Sequence, residues 1–315
     1  MSVFKKDKLD APVLVTGGAG FIGSHLVEAL VNDGVRVLVI DNLSGGKMAN
    51  LSKVVGQIEF FEGDIRDRDL LEKLLRGVGV VFHLAAMSSV PRSQLEPSLC
   101  LDVNGQGTLN VMELAAKFGV KRLVYASSSA VYGTVPAPHQ EDLPPSPDSP
   151  YAAVKLLGEH LGRYFNESMG LVTVSLRFFN VYGPRQTATG SDAGVIPIFF
   201  EALKNNETPI IYGDGRQTRD FIHVADVVRA IILAAQVKEP SQTVFNVGTG
   251  REGTILELLS LIKERFPGTP PPAHLPARLG DPVQSVAIME KAREILNFQA
   301  QVELRNGLDD LWPSL

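Results

Sequence analysis

Residues 13–41 constrain the fold more than any other part of this 315-residue chain. Val13-Leu-Val is an apolar run of strand type, and Thr16-Gly-Gly-Ala-Gly-Phe-Ile-Gly follows it at once. An amphipathic helical pattern then runs over Phe21–Asn32, and a second strand-type run, Val35–Ile40, ends at Asp41. Gly17, Gly20 and Gly23 stand in Gly-x-x-Gly-x-x-Gly spacing, and Asp41 lies 18 residues beyond Gly23. Glycines let a backbone turn tightly and come close to a pyrophosphate, whose charge then sits at a helix N-terminus. An acid ending the second strand accepts hydrogen bonds from ribose hydroxyls. The order strand, glycine turn, helix, strand, acid predicts a dinucleotide-binding unit.

Asp41 would repel a 2′-phosphate, which favours NAD over NADP. Phe21 and Ile22, inside the glycine motif, and Asn42, after Asp41, join the expected cofactor contacts. Asp64 ends a third strand-type run, where an acceptor for the adenine amino group is useful, and Ile65 follows it. In His83-Leu-Ala-Ala-Met, Leu84 and the small Ala85 and Ala86 allow a flat ligand to approach, with His83 packed beneath.

The same rhythm continues downstream. Strand-type runs at Ile58–Phe61, Val80–Leu84, Arg122–Ala126 and Val172–Leu176 alternate with helical stretches at Asp67–Leu75, Ser93–Phe118 and Tyr151–Met169. Near-continuous Val/Ile/Leu runs separated by helices predict a parallel sheet covered on both faces, a doubly wound α/β (Rossmann) fold. Past residue 180 the rhythm loosens. Pro136–Pro150 and Pro267–Pro276 read as lids or binding loops, being long for connections inside a domain. Strand and helix pieces return at Asp220–Ala235, Val244–Val247 and Thr254–Phe266, so two interleaved domains are expected. Residues 1–180 with about 216–250 would form the NAD-binding domain. Residues from about 181–215 and 251–315 would form a smaller substrate domain.

Composition removes several classes of function. A net charge of −5 gives no whole-chain attraction to nucleic acid or to an anionic membrane. An anionic substrate would need local arginines. No stretch reaches the roughly 20 uninterrupted apolar residues of a membrane helix, and Met1-Ser-Val-Phe-Lys-Lys-Asp-Lys lacks the apolar segment of a signal peptide. Cys100 is the single cysteine, so neither an intrachain disulfide nor a thiolate metal cluster can form. A cytoplasmic location without a metal is expected.

Tyr151 and Lys155 stand four residues apart at the start of a helix and so share a face. A phenol has a reference pKa near 10, too high for a base at neutral pH; lowering it by ~3 units takes about 4 kcal/mol. A neighbouring ammonium and an oxidised nicotinamide would supply such stabilisation. The pair therefore makes chemical sense beside the cofactor already inferred.

Tyr151-x-x-x-Lys155, the glycine motif and Ser127-Ser-Ser-Ala-Val-Tyr-Gly133 together resemble the extended short-chain dehydrogenase/reductase family, and within it the nucleotide-sugar 4-epimerases. The likeness runs from about residue 12 to 300. It implies that Tyr151 is the base, that Lys155 positions the ribose and tunes Tyr151, and that Ser128 relays the proton. It also implies that Asn180, in Arg177-Phe-Phe-Asn-Val-Tyr-Gly-Pro, contacts a diphosphate, and that Arg219 binds phosphate, a task suited to a guanidinium. Arg278 and Asp281 would hold the phosphate and ribose of a uridine nucleotide. Ser285 would leave room at the sugar's C2 for an N-acetyl group.

The implied reaction is C4 epimerisation of a UDP-hexose, with or without N-acetylation, through a 4-keto sugar in a homodimer built on the Ser93–Phe118 and Tyr151–Met169 helices. Rival readings are a 4-reductase, a 4,6-dehydratase or decarboxylase, and an NAD-binding sensor without catalysis. A dehydratase carries an Asp-Glu pair directly after the position of Ser128, where this chain has Ser129 and Ala130.

Overall fold

A computed structural model describes residues 11–190, 193–237, 243–277 and 281–311. The first six strands are β1 (Val13–Thr16), β2 (Val37–Asp41), β3 (Glu59–Glu62), β4 (Val80–His83), β5 (Arg122–Ser128) and β6 (Val172–Phe178). With Val244–Val247 they form a seven-stranded sheet in the order Val244–Val247, β6, β5, β4, β1, β2, β3. Each neighbouring pair is parallel. This is the doubly wound α/β fold expected from the sequence. β1, β2 and β4 are buried along their whole length, which is why they read as unbroken apolar runs. β3 lies at the edge, and its two terminal glutamates are exposed.

Side chains alternate across β1. Val13 and Val15 join the core on one sheet face with Leu26 and Leu30, while Leu14 joins the core on the other with Val111 and Leu114. A third cluster, including Tyr182, Phe199, Ile211 and Leu258, gathers the chain beyond residue 180. The strand order reverses between β1 and β4, and in such sheets a crevice opens past the carboxyl ends of the strands at that point.

The six helices that position the site are α1 (Phe21–Asn32), α2 (Arg68–Leu74), α3 (Val90–Leu95), α4 (Pro97–Cys100), α5 (Gly107–Lys117) and α6 (Pro150–Met169). The stretch expected as one helix over Ser93–Phe118 is instead divided. Proline has no N–H to donate and keeps its predecessor out of the helical region; Glu96, before Pro97, sits at φ −125° and ψ 59°. Between α4 and α5 the chain makes a π-helical turn, Leu101–Gln106.

The loop around Pro136–Pro150 is pinned rather than free. His139 donates its N–H to Val286 O at 2.8 Å, and Ile288 donates back to His139 O at 2.8 Å. Within Pro267–Pro276, Ala273–Leu275 pairs with Ile210–Tyr212. No helix among the described residues is long and apolar enough to cross a membrane.

Candidate active site

The glycine turn follows from crowding. Gly17 has φ +72°, and a Cβ there would lie 2.7 Å from the Ala85 backbone N; a Cβ at Gly23 would lie 2.1 Å from Gly17 O. Only hydrogens fit between the turn, the start of α1 and the end of β4. Asp41, 7% exposed, accepts from Ala19 N–H at 2.9 Å and from Leu43 N–H at 2.8 Å. Burial raises its pKa, and those two N–H bonds oppose the rise. Its carboxylate is thus fixed at the end of β2.

α6 is placed by its ends and its packing. Ser149 caps it by accepting from Ala152 N–H, Pro150 stands in the first turn, and Gly170 closes it in the left-handed region. At Gly158 a Cβ would lie 2.3 Å from the Tyr125 hydroxyl, so that glycine lets the helix lie close on β5. Lys155, one turn earlier, is buried and donates to Ala126 O at 2.7 Å. Its Nζ lies 5.7 Å from the Tyr151 ring centre. Burial pulls the Lys155 ammonium down to about 8. The Tyr151 N–H donates to Ser93 Oγ at 3.2 Å, tying the helix start to α3.

Ser128 ends β5, and its Oγ accepts from Ala130 N–H at 3.1 Å, which leaves the hydroxyl proton for a ligand. The preceding Ser127 points elsewhere. It donates to Glu159 at 2.5 Å, and Glu159 takes two bonds from Arg177, with both members of that ion pair 4% exposed. This ion pair joins β5, α6 and β6 one turn below Lys155. Residue types alone did not reveal it, although Glu159 stands four residues after Lys155 on the same helix.

His83 lies beneath the site as expected, bonded to Thr16 Oγ1 at 2.7 Å and Thr108 Oγ1 at 3.0 Å. Burial, and then the nearby Lys155 charge, push its pKa down to about 3, so it is neutral at ordinary pH. Asn104, in the π-helical turn, carries no motif that marks it in the sequence. It accepts from Met87 N–H at 2.7 Å and donates to Met87 O at 2.9 Å, fixing the strip that continues from Ala86.

A single cavity of about 760 Å³ is lined by all the expected cofactor and catalytic positions: Gly17, Gly20, Phe21, Ile22, Gly23, Asp41, Asn42, Asp64, Ile65, Leu84, Ala85, Ala86, Ser128, Tyr151 and Lys155. Ser88, Arg92, Gln186 and Thr187 also line it, and no motif or spacing marks them in the sequence.

The positions expected to hold the nucleotide lie apart from that cavity. Asn180 is exposed, and its N–H donates to Asp220 O at 3.0 Å. Arg219 donates to Thr218 O and Pro282 O and lines a smaller cavity of about 210 Å³ with Thr249 and Arg251. Burial lowers its pKa, and the nearby Asp281 partly offsets this. Asp281 is exposed, Ser285 is buried, and Arg278 lies outside the described residues. Asp220 joins these segments. Its buried carboxylate accepts from Thr249 N–H and Oγ1, both at 2.7 Å, from Gly250 N–H at 2.9 Å and from Ala287 N–H at 3.2 Å.

The chain is similar to several known proteins over nearly its whole length. A UDP-glucose 4-epimerase of Mycolicibacterium smegmatis is 43% identical over 300 residues, covering 94% of this chain and 95% of that one. The structure of a UDP-N-acetylglucosamine 4-epimerase from Methanobrevibacter ruminantium, in complex with UDP-N-acetylmuramic acid, superposes with a TM-score of 0.91 at 39% identity, covering 97% and 99% of the two chains. A Thermus thermophilus UDP-glucose 4-epimerase in complex with NAD gives a TM-score of 0.87 at 39% identity, covering 96% and 100%. The model of the NAD dependent epimerase/dehydratase family matches residues 13–248, and the chain belongs to that family.

Proposed function

We propose that this protein interconverts the C4 epimers of a UDP-hexose while NAD stays bound. The observation that carries this reading is the sharing of one cavity by the glycine turn, Asp41, Ser128, Tyr151 and Lys155. The residues fit NAD. The turn has room for hydrogens only, so a pyrophosphate can approach its backbone, and the fixed Asp41 carboxylate suits ribose hydroxyls while opposing a 2′-phosphate.

When bound, NAD supplies reversible acceptance and return of hydride at the sugar's C4. The chain's own residues handle the proton. Tyr151 takes it from the C4 hydroxyl and returns it, and Ser128 donates from its free hydroxyl proton to the same oxygen. Lys155, anchored on Ala126 O, holds a positive charge near the Tyr151 ring and so stabilises phenolate. The turn after Ser128, Ser129–Tyr132, carries no carboxylate, which favours epimerisation over elimination of water.

Arg219, Asp281, Asn180 and Ser285, with Arg278, form the nucleotide end in this reading, and the small Ser285 leaves space at C2. In this reading residues 1–180 with about 216–250 hold NAD, and residues from about 181–215 and 251–315 hold the sugar nucleotide; the third apolar cluster, drawn mostly from the latter segments, supports that division. The working form is a homodimer. Leu95, Leu101, Leu157, Tyr164 and Met169 expose large apolar groups on α3, the π-helical turn and α6, with Leu95 84% exposed. Light scattering at the monomer mass would refute the dimer.

Purified protein incubated with UDP-Glc, UDP-Gal, UDP-GlcNAc and UDP-GalNAc tests the activity. Each should equilibrate with its C4 epimer without added NAD. A net build-up of a 4-keto-6-deoxy sugar, or no turnover of any of the four, would overturn the reading.

A further inference from the structure

Lys155 carries its charge in a place that offers it no counter-ion. The side chain is buried, and its Nζ–H donates to Ala126 O at 2.7 Å. Glu159, one turn further along α6, is committed to Arg177 and to Ser127. Among the described residues no ion pair includes Lys155. Cys100, on α4, also acts on it, but burial raises that thiol above its ordinary value and keeps it neutral. A buried ammonium without a carboxylate partner gives up its proton unless something else favours the charge.

Two aromatic rings stand within reach. Nζ lies over the Tyr125 ring, on β5, at 5.1 Å from its centre, and at 5.7 Å from the centre of Tyr151. Both distances fall inside the roughly 6 Å over which a ring face attracts a cation. Tyr151 changes its own charge in the proposed reaction, whereas Tyr125 does not. Burial, and then the nearby Tyr151 and Glu159, hold the Tyr125 phenol well above its ordinary value, so it presents a constant neutral face. That ring is also fixed. His83, on β4, stacks on it with centres 5.7 Å apart and planes 30° apart, and Thr16 and Thr108 hold His83 in turn. His83 is neutral at ordinary pH, so the stack contains no cation to compete with Lys155. Gly158 lets α6 approach closely enough for this contact, since a Cβ there would lie 2.3 Å from the Tyr125 hydroxyl.

We propose that Tyr125 is a positioning residue: its π face, locked by the stacked His83, keeps the Lys155 ammonium charged and seated beside Tyr151. Tyr125 does not line the large cavity, so it acts only through Lys155. The kinetic consequence rests on the epimerase reading; the interaction itself does not. Once Lys155 loses its proton, Tyr151 loses the charge that stabilises phenolate, and turnover falls. A weaker π face brings that fall to lower pH.

Tyr125→Leu removes the ring. The alkaline limb of kcat against pH should move down by about one unit, the size of a desolvated cation–π contact, with KM little changed. Tyr125→Phe, which keeps the ring, should return the limb to its wild-type position. Phenylalanines with one, two or three ring fluorines in place of Tyr125 keep the shape while draining charge from the face, and guard against a leucine variant that fails to fold. The limb should step down with each fluorine. A second readout needs no sugar. Stability of NAD-free protein should begin to rise with pH near the folded Lys155 value of about 8, and that onset should move down along the same series. A limb and an onset that ignore the fluorines, or a Tyr125→Phe that behaves as Tyr125→Leu does, would overturn the assignment. If the wild type turns over no UDP-hexose, the epimerase reading fails by itself and the stability onset alone decides the role of Tyr125.

Discussion

The two ends of this molecule are built in opposite ways. At the dinucleotide end, a turn of eight consecutive residues, 16–23, and the tips of neighbouring parallel strands create one cavity, and the contacts are mostly backbone and short side chains. At the proposed nucleotide-sugar end, Asn180, Arg219, Asp281 and Ser285 come from segments up to about a hundred residues apart. Asp220 ties neighbouring parts of these segments: its backbone O accepts from Asn180 N–H, and its buried carboxylate accepts from Thr249, Gly250 and Ala287. Strand order fixes the first end wherever the sheet forms. The second depends on individual side-chain bonds, so single substitutions should separate the two.

The largest expected effect lies between the ends, at the reacting oxygen. Tyr151→Phe removes only the ionisable group, so kcat should fall by about 10³-fold or more, while NAD co-purifies as in the wild type. Loss of bound NAD in that variant would mean that the tyrosine supports the dinucleotide end rather than the chemistry.

Lys155 sharpens the comparison through pH. Its folded pKa of about 8 lies below the ordinary value of 10.5 because of burial. Between those values the unfolded chain binds the extra proton, so stability should rise with pH from about 8 to 10.5. Below that window the cost of the buried charge is present in full, on the order of 3 kcal/mol. Lys155→Met should stabilise NAD-free protein at pH 7 by up to about that amount and flatten the rise. Denaturant midpoints at several pH values measure both, and a wild-type slope in the variant would exclude Lys155 as its source.

The smallest effect belongs to the nucleotide end. Asp220→Asn replaces an acceptor of four bonds with an amide that accepts at one atom only, costing about 1–3 kcal/mol. UDP binding should weaken by about tenfold, with NAD content unchanged. Equal loss of NAD and UDP would show that the two ends are a single cooperative unit.

The sequence determined the central sheet and the glycine turn and acid that share one cavity. Buried parallel strands must be apolar throughout, and a glycine turn before a helix has few other uses, so both features are written in adjacent residues. Tyr151 and Lys155 were legible because helix geometry alone puts residues four apart on one face. Pro97 is legible in the sequence as a helix breaker, and it divides the predicted Ser93–Phe118 helix. Tertiary structure alone decided the rest. Ser127, Glu159 and Arg177 meet only because β5, α6 and β6 pack together, and no spacing in the chain encodes that contact. Asn104 reaches Met87 because a π-helical turn re-aims it. Asp64 could be placed at the end of its strand, but its bonds to Arg66 and Asn42 depended on where those side chains turned. Hydrogen-bond satisfaction is a property of three-dimensional neighbours, and a one-dimensional pattern leaves those neighbours undetermined.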